Sequence, residues 1–309
     1  MRRLHSLSAV CLLALSPLLH AQRPDRPQTP PVPPAVEAKL DLPYAGTDNP
    51  RQRLDLYLPK DRAAGKKLPV LVIVHGGAWQ AGNKTQGRGV VIRPVAEGKC
   101  AGISLGYRLS PEAKWPAQIH DCKAAIRWIK AQAAEHGLDP DCIVVQGSSA
   151  GGHLVAVLGT SAGVPEMDGT LGPDTSQNTK VAGVIDFFGP TDLSKMDAQR
   201  LPNGQKHDSA DSPESRLLGA PVQTVPDKVK SANPLTYVDS TDPPFLIVHG
   251  DQDPLVPHGQ SEILVEALRK AGVAHELYTV PGGGHGGFKD PEVPKKVNAF
   301  LTSRFAGKP

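Results

Sequence analysis

Aromatic residues are scarce in this chain, at 5% of 309 residues, and neither sign of charge dominates, with 34 Lys and Arg against 31 Asp and Glu. The even balance excludes a basic surface built to hold nucleic acid. Cysteine is also rare: four residues, of which Cys11 lies in the N-terminal apolar run and Cys100, Cys122 and Cys142 lie in segments that read as strand or helix. No CxxC or CxxH spacing occurs, so a zinc site is not expected. Three remaining cysteines cannot pair completely within the chain, and they read as small, soft core residues, although an exported protein permits one disulfide. The apolar run at the N-terminus is short and broken by Pro17, which argues against a membrane span.

The N-terminal run has the anatomy of a secretory leader. Arg2 and Arg3 precede an apolar stretch from Leu4 to Leu19, and Leu19-His20-Ala21 ends in a small residue before Gln22. Export is therefore expected, to the periplasm or beyond the cell, with residues 1–21 removed. The rest of a twin-arginine signal is missing, and Cys11 has too little chain before it for a lipoprotein site, so no membrane anchor is expected. Loss of Arg2 and Arg3 brings the net charge from +3 to near +1. Residues 22–38 are rich in proline and read as an extended tether. Residues 39–309 are long enough for one α/β catalytic domain, and the chain's 31 glycines, 31 prolines and ordinary apolar share suit a turn-rich globular enzyme.

Within that domain, short β-prone runs alternate with helical stretches. Runs at 53–58, 69–75, 101–107, 142–146, 181–188, 245–249 and 276–280 are bounded by turn residues, and several are almost continuously apolar, as strands buried on both faces should be. Between them, Ile119, Cys122, Ala125, Ile126 and Ile129 recur at helical spacing, as do Ile263, Leu264, Ala267 and Leu268. The pattern predicts a doubly wound α/β sheet with its ligand at the carboxyl ends of the strands. Two stretches break the alternation, 161–180 and 192–239. Both are expected to wall the substrate pocket, because long loops in compact domains are commonly functional.

The chemistry gathers on glycine-rich loops after strands. Gly147-Ser148-Ser149-Ala150-Gly151 follows the apolar run at 142–145 and leads into an apolar helix, which sets the Ser149 hydroxyl on a sharp strand-to-helix turn as a nucleophile. A serine hydroxyl reacts well only when an imidazole takes its proton, and the imidazole needs a carboxylate to orient it. His285, in Gly282-Gly283-Gly284-His285-Gly286-Gly287, is the base. Asp253, in His249-Gly250-Asp251-Gln252-Asp253-Pro254, is the orienting acid, with Asp251 free to cap the turn. Backbone N–H groups of Gly77 and Ala78 in His75-Gly76-Gly77-Ala78-Trp79, and of Ala150 after the nucleophile, form the oxyanion hole, with Gly76 a further donor. Trp79 and His75 are expected to brace that loop.

These motifs, together with Tyr107-Arg108-Leu109, Trp115-Pro116-Ala117, Asp121 to Ala125 and Gly189-Pro190-Thr191-Asp192, resemble the α/β-hydrolase superfamily. More narrowly they are similar to the HGG-type esterase and lipase branch that includes exported acetyl xylan and feruloyl esterases (BD-FAE-like). The resemblance spans most of the chain after the leader and implies a mostly parallel sheet of about eight strands with helices on both faces. It implies a serine carboxylic-ester hydrolase that works through an acyl-enzyme with no metal or organic cofactor, acting on acetyl or feruloyl esters of plant polysaccharide. Ala78 departs from the third glycine common in such loops but keeps its N–H. Asp121 is placed to hold Arg108. A small-amide hydrolase resembling an aryl formamidase, or a noncatalytic binding protein on the same fold, are the alternatives. Acyl and alcohol preference and oligomeric state are open at this stage.

Overall fold

The computed structural model describes residues 31–306 apart from residue 64. The leader at 1–21 and the first part of the tether lie outside the described residues. Among the described residues, eight strands form one sheet in the order β1-β2-β4-β3-β5-β6-β7-β8. They are β1 (Val36–Pro43), β2 (Arg53–Pro59), β3 (Leu68–Val74), β4 (Ala101–Leu105), β5 (Leu138–Ser148), β6 (Gly183–Phe187), β7 (Phe245–Gly250) and β8 (His275–Val280). β1 and β2 run antiparallel at one edge and the others pair in parallel. β1 has no counterpart among the sequence-derived strands. It begins at Val36, inside the stretch assigned to the tether, because Val36 pairs with Pro59 and is buried.

Ten α-helices accompany the sheet in the described residues: α1 (Thr85–Ala96), α2 (Ala117–Ala131), α3 (Ala133–His136), α4 (Ala150–Thr160), α5 (Pro165–Asp168), α6 (Met196–Gln199), α7 (Pro213–Leu218), α8 (Pro226–Ala232), α9 (Gly259–Lys270) and α10 (Glu292–Phe305). Strand side chains alternate between two cores, as the pleat requires. Val70, Val72 and Val74 of β3 join the core under α2, α4 and α9, whereas Leu71 and Ile73 join the one under α1 and α10. The helices therefore cover both faces, as a parallel sheet of near-continuous apolar strands demands. Cys100, Cys122 and Cys142 are free and buried, and burial raises each thiol well above its ordinary range.

The segment 161–180 corrects an expectation. It follows α4, which carries the chain away from the carboxyl ends of the strands, so it cannot reach the ligand edge. It packs on α2 instead. Lys123 Nζ, fully buried, lies 2.6 Å from Asp168 Oδ1, Arg127 donates to the carbonyls of Asp168 and Leu171, and Lys130 donates to Asn178 Oδ1. These three cations give α2 a polar stripe that the segment satisfies. The segment 192–239 follows β6, emerges at the ligand edge, and brings Gln205, Pro213 and Glu214 to the pocket.

Candidate active site

Ser149 stands between β5 and α4 with φ 55° and ψ −123°. A positive φ costs a non-glycine residue energy, so its surroundings must enforce it. The Ser149 N–H donates to Phe187 O at the end of β6 (2.9 Å), and Ser149 O accepts from His153 N (3.0 Å). Gly147 and Gly151 are needed for contact rather than freedom: a Cβ on Gly147 would collide with the Gly151 carbonyl, and one on Gly151 with the Val74 carbonyl. Among the described residues, two of the four remaining non-glycine residues with positive φ, Ala78 (54°) and Trp79 (57°), stand in the loop facing Ser149, and a third, Phe188 (44°), borders it. Strain is thus concentrated at this edge of the sheet.

The loop after β3 is fixed from behind. Tyr107 Oη donates to His75 O (3.0 Å) and stacks on the His75 ring at 4.2 Å, and Arg51 donates to Gly82 O. Burial lowers the His75 pKa to about 4, so the ring is neutral, and its Nδ1–H donates to Gly76 O (2.8 Å). Arg108 makes a forked ion pair with fully buried Asp121, as anticipated, which locks the strand end beside that loop. The loop's Gly76, Gly77 and Ala78 lie along the cavity that holds Ser149, and Ala150 lines its continuation.

Asp253 is the carboxylate within reach of His285, with Oδ2 2.7 Å from Nδ1. Its other oxygen accepts the N–H groups of Leu255 (2.8 Å) and Val256 (3.0 Å). Burial alone would raise this carboxyl, but the hydrogen bonds from His249, His285 and Val256 outweigh it and hold it well below the usual carboxylate range. Asp251 accepts the Gly282 N–H (2.8 Å) and so ties the acid-bearing turn to the histidine loop.

Two site residues had no assigned role from sequence. His249 is fully buried, donates from Nε2 to Val256 O (2.9 Å), and lies 3.3 Å from Asp253 Oδ2, while its Nδ1 accepts from Ser261 Oγ (2.7 Å). It is a second imidazole on the acid, and the only sequence signal for it was its place four residues before Asp253. Phe188 packs its ring 4.5 Å from that of His285. It is held there by its own N–H to Val248 O, a tertiary contact with no local signature.

Ser149 and His285 share two cavities. The larger, about 580 Å³, runs over Gly76, Gly77, Gln86, Val90, Gln146 and Phe188, a volume typical of ligand sites. The smaller, about 80 Å³, shares Ala78, Ser149, Leu255 and His285 with it and reaches Trp79, Gln205 and Glu214. The arrangement presents a hydroxyl on a strained turn, an imidazole oriented by a carboxylate, and backbone amides around a common space. Such a set can carry out acyl transfer.

The family profile described as BD-FAE matches residues 54–268. Two Mycobacterium tuberculosis proteins are similar: Esterase LipQ, 35% identical over 86% of this chain and 61% of its own length, and Esterase LipC, 35% identical over 77% and 58%. The chain thus spans about three fifths of the curated relatives it matches. Among solved structures, a truncated carbohydrate esterase from gut microbiota is 37% identical, with a TM-score of 0.79 over 88% of this chain and 97% of that one. An esterase from Thermogutta terrifontis solved with propionate is 29% identical, with a TM-score of 0.69 over 92% and 98%. With its eight-stranded α/β-hydrolase sheet and a profile match extending from β2 to α9, this chain belongs to the BD-FAE family.

Proposed function

We propose that the protein is a serine carboxylesterase. Ser149 attacks the ester carbonyl, and His285 takes its proton and returns it to the leaving alcohol. Asp253 holds the imidazole in the required tautomer, and the N–H groups of Gly77, Ala78 and Ala150 stabilise the oxyanion, each for about 3 kcal/mol. Water then releases the acyl group from Ser149 by the same steps in reverse. The observation that carries this reading is the 2.7 Å contact between His285 and Asp253 in a loop that shares a cavity with the strained Ser149.

The esters are proposed to be those of carbohydrate, with acetyl or feruloyl as the acyl group. Support comes from the carbohydrate esterase relative and from the larger cavity, where the neutral amides of Gln86 and Gln146 lie beside the apolar Val90 and Leu255. Neutral polar groups with apolar patches suit a sugar better than a charged ligand. The leader at 1–21 supports export, and among the described residues no helix is long and apolar enough to cross a membrane.

Ser149→Ala should lower turnover of p-nitrophenyl acetate by about 10⁴-fold or more and abolish labelling by a serine-directed phosphonate. Unchanged turnover would remove Ser149 from the mechanism. Faster cleavage of the matching anilide than of the ester would replace the esterase reading with an amidase one. Acetylated xylan, methyl ferulate and p-nitrophenyl esters of rising chain length then rank the acyl groups.

A further inference from the structure

Two imidazoles converge on one carboxylate oxygen. His285 Nδ1 lies 2.7 Å from Asp253 Oδ2, and His249 Nε2 lies 3.3 Å from the same atom. A serine, histidine and acid relay needs only the first. The second ring stands on β7, is fully buried, and lines neither cavity that holds Ser149. Any part it takes in the reaction therefore passes through Asp253.

Its partners fix its tautomer. Val256 O, 2.9 Å from Nε2, and the ionised Asp253 carboxylate can only accept, so Nε2 carries the proton and is shared between them. Nδ1 lies 2.7 Å from Ser261 Oγ of α9, whose hydroxyl donates to it. Asp253 thus receives N–H groups from four residues, Leu255 and Val256 on Oδ1 and His249 and His285 on Oδ2. Leu255 and Val256 belong to the acid's own turn, whereas His249 ties the carboxylate to the central sheet and, through Ser261, to α9. A donor on Oδ2 also disperses the charge that draws the His285 proton.

We infer that His249, backed by Ser261, is a positioning residue of the catalytic acid: it holds Asp253 Oδ2 at His285 and tempers the carboxylate's pull on the imidazole proton. The inference rests on the esterase reading and deepens it. Loss of the His249 donor makes Asp253 a stronger acceptor, so His285 stays protonated to higher pH and the acid limb of kcat/KM moves up. A change that only loosened the fold would lower activity alike at every pH.

The other charged or titratable groups around this pair are His258, whose ring is 5.3 Å from that of His249 and whose Nδ1 is 3.3 Å from Glu262, Asp186 on β6, Asp251 on the acid turn, and Glu214 on the smaller cavity with His285. His258 is the neighbour that can titrate in the same range, so it supplies the control.

The test measures kcat and KM for p-nitrophenyl acetate across about pH 5 to 9 in the intact protein and its variants. His249→Leu should lower kcat about tenfold on the plateau with KM within about twofold, and raise the acid limb by about half a pH unit or more. His249→Gln, whose amide can donate in place of the ring, should restore most of both, and His258→Gln should leave the limb in place. Ser261→Ala, which frees the ring from α9, should raise the limb by a smaller amount and decides the matter should His249→Leu fail to fold. An acid limb that stays put or falls in His249→Leu, with equal loss at every pH, would reduce His249 to packing and overturn the inference. A limb that moves as far in His258→Gln would assign the shift to His258 and overturn it too. Absence of p-nitrophenyl acetate turnover in the wild-type protein would instead overturn the esterase reading.

Discussion

The segments 161–180 and 192–239 look alike as sequence, both long, polar and outside the strand and helix alternation, yet they do opposite work. The first is a brace. It closes over Lys123, Arg127 and Lys130 of α2 through Asp168, Leu171 and Asn178 and contributes no wall to either cavity beside Ser149. The second is a wall, and it brings Glu214 and Gln205 to the nucleophile. Chain direction separates them. A loop after a parallel strand leaves at the carboxyl edge, where the ligand sits, whereas a loop after the returning helix leaves at the opposite edge.

The largest expected effect tests the brace. Lys123→Met removes the buried ammonium and leaves Asp168 with Thr179 Oγ1 and the Gly163 N–H as its remaining partners, which should cost about 3 kcal/mol of unfolding free energy. Well below the unfolding temperature, kcat/KM on p-nitrophenyl acetate should stay within about twofold of wild type. Urea titration and initial rates check the two halves. A large kinetic loss with little loss of stability would make 161–180 part of the active site after all.

The next effect lies at the root of the second segment. Asp186, on β6, is buried, and burial pushes its pKa up to about 6 against the opposing pull of the Gly189 N–H and His249. A raised carboxyl favours the folded state at low pH. Between about pH 4 and pH 6 the unfolded chain gives up this proton while the folded chain keeps it, so stability falls as pH rises through that window. Asp186→Asn can still accept from Gly189 and carries no charge. It should be more stable than wild type above pH 6 by on the order of 2 kcal/mol and equal to it near pH 4. The comparison of the two proteins at each pH isolates Asp186 from the buried His75 and His153. Burial lowers both to about 4, so they lose stability as pH falls through the same range. A variant less stable than wild type at pH 8 would mean that the ionised carboxylate holds the Phe187 to Gly189 turn.

The smallest effect concerns the rim. Leu255 is 42% exposed and touches both cavities. Leu255→Ser should leave thermal stability within about 0.5 kcal/mol and lower kcat/KM for bulky esters roughly fivefold, mostly through KM. An equal loss for acetate and bulky esters would show that the side chain supports Asp253 rather than substrate.

Much of the site was legible because each part needs a particular residue at a strand end. Gly147 and Gly151 frame Ser149 since any side chain there would strike backbone. Glycines surround His285 on the turn after β8, and Asp253 follows β7. β1 was not legible, because its pattern of partly exposed side chains gives no clean alternation and its pairing partner lies across a turn. Phe188 was missed because its partner His285 is distant in the chain, whereas His249 and the His207–Glu214 pair are near neighbours in sequence whose spacing has no distinctive pattern.

The alternating α/β architecture, the serine turn and the order of serine, acid and histidine can be read along the chain, because strand periodicity, glycine sterics and loop chemistry are local properties. Three-dimensional packing is what makes 161–180 brace a helix, sets His249 as a second imidazole on Asp253, and places Glu214 and Trp79 on a cavity shared with Ser149. Those outcomes depend on which edge of the sheet each loop leaves from and on which side chains converge there, and convergence belongs to packing in three dimensions.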